Sequence, residues 1–165
     1  MWVLLITVAI TVLDQVTKAV VRGRFCVGES HTVIPGLFDL TYVCNYGAAW
    51  GILRGRGAWL IALSVVMMGL IVYHRKALLT DGWRSRLAMG LMLGGILGNL
   101  IDRLKLQFVV DFLDFHWHGH PFPAFNVADS AICVGVGLYV LSQFLASRVA
   151  ARAAGEGAAD TARPS

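Results

Sequence analysis

Four stretches of this chain are long, apolar and almost free of charge: residues 2–21, 57–73, 87–104 and 127–147. In a bilayer every backbone N–H and C=O must be bonded within the protein, so only helices and closed barrels can cross. Apolar runs of about 17 to 25 residues are of helix length. The expected fold is therefore a membrane protein, mainly α, with four transmembrane helices. Composition agrees, with 57% hydrophobic residues and 15% charged. The net charge of +4 comes from basic residues that flank apolar runs and form no stripe with interleaved aromatics, so membrane lipids are expected as partners and nucleic acid is not.

The first stretch does not read as a cleavable leader. It has no basic start and no A-x-A site, and Asp14, Gln15 and Lys18 interrupt it. Residues 1–148 are expected to form one domain. Residues 149–165, rich in Ala and Gly with scattered charges, read as a disordered cytoplasmic tail. The cysteines, Cys26, Cys44 and Cys133, show no CxxC spacing and indicate neither a disulfide framework nor a zinc site. Cys26 and Cys44 would pair only if their loop faced an oxidising compartment.

Arg75, Lys76, Arg84 and Arg86 crowd into one short connector, and Arg148 and Arg152 follow the last span. The positive-inside rule then puts that connector and both termini in the cytoplasm. With four antiparallel crossings, the end of span one, the first loop, the end of span three, the third loop and the start of span four share one membrane face. The unusual polar residues lie there.

Each of these residues has a structural and a chemical reading. Asp14 and Lys18, four apart on a helix, can pair to orient span one or can touch a substrate. In the first loop, residues 37–44 alternate like a short strand or hairpin. Gly90, Gly94 and Gly98 form a small-residue stripe that lets helices approach closely in lipid. Asn99, Asp102 and Arg103 end that span, either as an Asp–Arg pair with an amide tying helices together or as part of a site. Asn126 and Asp129 resemble a helix N-cap with an acid in the first turn. Asp111 and Asp114 read equally as loop acids. His116, His118 and His120 alternate beside them and raise zinc, although no H-E-x-x-H helix accompanies them. Acids within or beside spans are costly to keep and mark function, so an ion path through Asp14, Asp102 and Arg103 is a further reading.

Five motifs occur in order: DQVTK (14–18), NYGAAWG (45–51), GGILGNLIDR (94–103), VVDF (109–112) and FNVADSAI (125–132). Together they resemble the five sequence boxes of lipoprotein signal peptidase, signal peptidase II of the bacterial cytoplasmic membrane, over about residues 10–145. The resemblance implies an aspartic endopeptidase that removes the signal peptide from diacylglyceryl-modified prolipoproteins, cleaving before the lipidated cysteine. It makes Asp111 and Asp129 the catalytic pair. Asp14, Lys18, Asn45, Gly51, Asn99, Asp102, Arg103 and Asn126 become residues that bind substrate or shape the site. Trp50 stands where Phe is common in the second box. The resemblance also implies a small strand-rich extracytoplasmic cradle in the first loop, a short helix or loop over the site, and an active site near the periplasmic face. A monomer in the inner membrane is expected, with no metal or cofactor, because two aspartates that share a proton need neither. The glycine-rich third span would offer a docking groove for the signal helix.

Overall fold

The structure is a computed structural model and describes residues 1–48, 52–79, 82–117 and 120–161. Its elements run α1 (Trp2–Arg24), β1 (Ser30–Ile34), β2 (Phe38–Asn45), α2 (Gly57–Tyr73), α3 (Arg75–Leu78), α4 (Trp83–Leu106), β3 (Val109–Trp117), β4 (His120–Pro121) and α5 (Val127–Thr161).

Among the described residues three helical segments are long and apolar enough to cross a membrane: Trp2–Arg24, Trp83–Leu106 and Val127–Arg148. α2 has the bounds expected for the second span, but its 17 residues reach only about 26 Å at about 1.5 Å per residue, short of a hydrocarbon core of about 30 Å. Three helices, not four, thus meet the length unaided. At the other end of the chain, α5 stays helical to Thr161, through most of the stretch whose composition reads as a disordered tail. Ala is the strongest helix former, and adding turns to an existing helix avoids the unfavourable nucleation step.

α4 is the central helix. Of its apolar window 56% is buried, against 17% in α1 and 11% in α5. The outer faces of its neighbours are apolar and exposed, including Leu5, Val8, Val12 and Val16 on α1 and Val136, Val140 and Phe144 on α5. Lipid is the solvent that suits such faces.

The glycines of α4 set how closely these helices approach. A Cβ on Gly90 would meet Ile6 Cβ at 2.7 Å, one on Gly94 would meet Ile10 Cβ at 2.8 Å, and one on Gly98 would meet Asp14 Oδ2 at 2.5 Å. The stripe is therefore filled by α1 and is not an open docking groove, contrary to the expectation from sequence. Where the helices touch, Thr7 and Thr11 hydroxyls and the Gln15 amide donate to the carbonyls of Gly90, Gly94 and Gly98 at 3.4, 3.2 and 3.1 Å. The constant offset of 83 residues means that α1 and α4 run in the same direction, which brings their C-terminal ends together. On the opposite side a Cβ on Gly95 would strike the carbonyl of Ala128, and one on Gly135 would meet Ala88 O at 2.9 Å, so α5 packs equally close.

Beyond these helix ends lies an antiparallel sheet in the order β1-β2-β3-β4. Ile34-Pro35-Gly36-Leu37 closes the first hairpin, with Gly36 at φ +74° and Leu37 N–H donating to Ile34 O. Pro then Gly at the two central positions is the signature of a type II turn. The strands are not confined to the first loop, as the sequence suggested: β3 comes from the third loop and carries Asp111. Gln107, in the left-handed conformation at φ 66°, ends α4 and turns the chain into β3. Val21, Tyr42, Val110 and Phe112 form a small core that seats the sheet on the end of α1. Cys26 and Cys44 are free thiols.

Candidate active site

Where α1, α4, α5 and β3 converge, buried polar groups replace apolar packing. On α1, Thr11, Asp14, Lys18 and Val21 share the buried face, as spacings of three and four on a helix require. Lys18 Nζ lies 2.9 Å from Asp14 Oδ2 and 3.0 Å from Asp102 Oδ2 on α4, and donates to Asn99 Oδ1 at 2.9 Å. Asp14 Oδ1 accepts the N–H of Ala128 at 2.9 Å, in the first turn of α5, where the helix dipole favours an anion. Asp102 accepts from Gln15 Nε2 at 2.9 Å and from the Val110 N–H at 3.1 Å. One buried cation thus binds two carboxylates that between them anchor α5 and β3.

The Asp14–Lys18 pair drawn from sequence is present, wholly buried. The Asp102–Arg103 pair is not, because consecutive residues on a helix point in different directions. Asp102 turns inward to Lys18, while Arg103 Nη2 reaches the Gly47 carbonyl at 3.3 Å and lines a cavity.

That cavity, of about 410 Å³, is lined by Asn45, Asn99, Arg103, Asp111 and Asp129 on its polar side and by Val109, Phe122, Phe125 and Ile132 on its apolar side. Asp111, 2% exposed, is delivered by β3. Its Oδ2 accepts from Asn45 Nδ2 at 2.9 Å and its Oδ1 from Asn126 Nδ2 at 2.7 Å. Asn45 is held in turn by the Gly47 N–H, which donates to its Oδ1. Asp129 comes from the first turn of α5, where it completes a reciprocal cap. Asn126 Oδ1 accepts the Asp129 N–H at 2.9 Å, and Asp129 Oδ2 accepts the Asn126 N–H at 3.3 Å. Asn99 Nδ2 donates to Asp129 Oδ1 at 2.7 Å. The N-cap is fixed against β3 because Leu113 and Phe125 exchange backbone hydrogen bonds at 2.8 and 3.0 Å.

The Asp111 carboxyl is pushed up to about 7, first by burial and then by the charge of Asp129, against the hydrogen bonds from Asn45 and Asn126. The folded protein therefore keeps a proton that the unfolded chain releases near 3.8. For an acid raised in this way the stabilising contribution is complete below about pH 4 and is lost as pH rises through about 7. Thermal unfolding in detergent should accordingly shift to lower temperature between pH 5 and 8, and this slope should flatten in Asp111→Asn.

Asp114 and His116 lie elsewhere. Asp39 and Asp114 are directly opposed on β2 and β3, a repulsive placement. His116 Nε2 sits 3.1 Å from Asp39 Oδ2 and 3.7 Å from Asp114 Oδ2, and Thr41 Oγ1 donates to Asp114, so these groups hold the sheet together. Among the described residues no His, Cys, Asp and Glu side chains are grouped to hold a metal. Gly51, Trp50 and His118 lie outside the described residues. Sequence reasoning passed over Gln15 as a mere interruption of a span, yet it joins Asp102 to Gly98. Its spacing of four from Thr11, and of eight from Thr7, along a helix that meets a glycine stripe was the available signal.

A bundle of apolar helices that gathers four carboxylates, a lysine, three asparagines and an arginine at one end defines an integral membrane protein with a built polar site. A family model for signal peptidase (SPase) II matches residues 6–145. The lipoprotein signal peptidase of Shewanella loihica is 47% identical over 150 residues, covering 87% of this chain and 86% of that one. That of Syntrophotalea carbinolica is 45% identical over 145 residues, covering 86% and 89%. A bacterial membrane enzyme solved by the in meso method at 2.3 Å superposes with a TM-score of 0.79 at 34% identity, over 88% of each chain. The chain belongs to the signal peptidase II family, and membership makes it a protease of lipoprotein precursors.

Proposed function

We propose that the protein is an aspartic endopeptidase that cleaves diacylglyceryl-modified prolipoproteins just before the lipidated cysteine, with Asp111 and Asp129 as its catalytic residues. The observation that carries this reading is that both carboxylates line one cavity and are joined through Asn99 and Asn126. With its carboxyl raised to about 7, Asp111 is about half protonated at neutral pH, and in that form it polarises the scissile carbonyl. Asp129, held by N–H donors on both oxygens, takes a proton from the attacking water. Water oxygen bonds to the carbonyl carbon, the C–N bond breaks, and the nitrogen leaves as an amine after receiving a proton from the pair. Asn45 and Arg103 flank the cavity where a peptide backbone would lie, and Gly51 belongs to the same box by resemblance.

The membrane setting is part of the same proposal. α2 makes a fourth crossing in a locally thin or adapted bilayer, both termini are cytoplasmic, and the cavity opens near the periplasmic face of the inner membrane. Acyl chains then stay in lipid while the scissile bond meets water. The single domain of residues 1–148 works as a monomer. Purified protein given diacylated and unmodified forms of one prolipoprotein should cleave the first at least about 100-fold faster, a difference of about 2.7 kcal/mol in transition-state binding. Equal cleavage of both would overturn the substrate assignment.

A further inference from the structure

Lys18, 1% exposed, is the largest of the fully buried side chains among the described residues. An ammonium has three N–H donors and no acceptor. Here the three reach Asp14, Asp102 and Asn99. Two carboxylates already exceed what one cation needs for charge; the third buried N–H still needs an acceptor, and the one it has is the neutral Asn99 amide. This is also the contact that leads to the dyad.

A carboxamide has one acceptor end and one donor end. Asn99 Oδ1 faces two donors, Lys18 Nζ at 2.9 Å and Asn126 Nδ2 at 3.2 Å. Its NH₂ must then point the other way, and it lies 2.7 Å from Asp129 Oδ1. A half-turn of this amide would oppose N–H to N–H twice and turn an oxygen onto a carboxylate. Asn126, which meets Asn99 at that oxygen, carries the linkage on to Asp111 Oδ1.

We infer that Lys18 is a positioning residue for the aspartate pair: it locks the Asn99 amide with its N–H toward Asp129 and so fixes how the dyad shares its proton. This rests on the aspartic peptidase reading above. The Lys18 charge also opposes the upward push on Asp111, in the same sense.

The double variant Lys18→Met/Asp14→Asn removes one positive and one negative charge together, so the local net charge is unchanged and the anchor on Asn99 is lost. On a diacylated prolipoprotein it should keep KM within about threefold while kcat falls about 100-fold, the lower range for positioned proton transfer. The acid limb of its pH profile should move up by about one unit, and Lys18→Arg, which keeps charge and donor, should restore the wild-type limb. A folded double variant with kcat within about threefold of wild type and an unmoved limb would overturn the inference. Should the double variant not fold, Asn99→Asp decides, since it keeps an acceptor for Lys18 and replaces the N–H toward Asp129 with a carboxylate oxygen. It should lose kcat by a similar factor of about 100, and wild-type kcat there would equally overturn the inference. If Asp111→Asn and Asp129→Asn still cleave, the aspartic reading fails first. If they are inert while the double variant behaves as wild type, only the role of Lys18 fails.

Discussion

Asp111→Asn and Asp129→Asn should each reduce kcat for prolipoprotein cleavage by about 10³-fold or more, with little change in KM, since each removes one half of a proton transfer that contributes about 10² to 10⁴ in rate. The substitution is close to isosteric, and neither side chain carries the packing. Asp129→Asn loses the carboxylate that accepts from Asn99 and from the Asn126 N–H, so a modest fall in stability through the weakened cap of α5 is expected beside the loss of rate, about 1 kcal/mol. Asp111→Asn removes the raised carboxyl and with it the pH-dependent loss of stability, but it turns an amide NH₂ toward one of the two donors, Asn45 or Asn126, that the carboxylate accepts from, so a pH-independent fall of about 1 to 3 kcal/mol is expected. Cleavage assays on protein of verified fold, read beside thermal unfolding, separate the two effects. Either variant cleaving at the wild-type rate would remove that aspartate from the mechanism.

Gly95→Leu and Gly98→Leu should prevent assembly of the folded protein. At Gly95 the new Cβ would strike the Ala128 carbonyl, and at Gly98 it would lie 2.5 Å from Asp14 Oδ2. Backbone cannot yield as a flexible side chain does, and the carboxylate is already tied to Lys18 and Ala128. Overpacking of a tight core costs about 1 to 3 kcal/mol and occasionally more, and here the helices must separate, breaking the cap of α5 as well. Gly69 on α2 has nothing within 4 Å of its Cβ position, and Gly69→Leu should be tolerated. Size-exclusion profiles and unfolding temperatures of the three variants test this. Well-folded Gly95→Leu and Gly98→Leu proteins would show that α4 does not pack as described.

Much of the site was legible in the chain itself. The i, i+4 spacing of Asp14 and Lys18 is a helix-face property and is present as a pair. The Asn126-to-Asp129 spacing is a local capping pattern and is found as a reciprocal cap. Parallel α1 and α4 bring together the groups that the span order predicts to share a face. Other parts were not legible. β3 was read as a loop because its pairing partner, β2, lies more than sixty residues away, and the register Val43 to Asp111 across a bulge is a long-range choice. Asp102 and Arg103 looked like a pair from adjacency alone, whereas helix geometry sends one inward and one to the cavity. The glycine stripe looked open because a helix face in sequence does not show its neighbour.

What the sequence determined by itself is the membrane class, the apolar helices and the identity of the polar residues, since span length, charge and ordered motifs are local properties of the chain. Only the tertiary structure decided which of those polar groups meet. Hydrogen bonds run over about 3 Å, and the groups joined here come from α1, α4, β2, β3 and α5. Which end of the Asn99 amide faces Asp129 depends on Lys18, some eighty residues earlier. No local pattern specifies such an orientation; it follows from packing three helices and a strand around one buried ammonium.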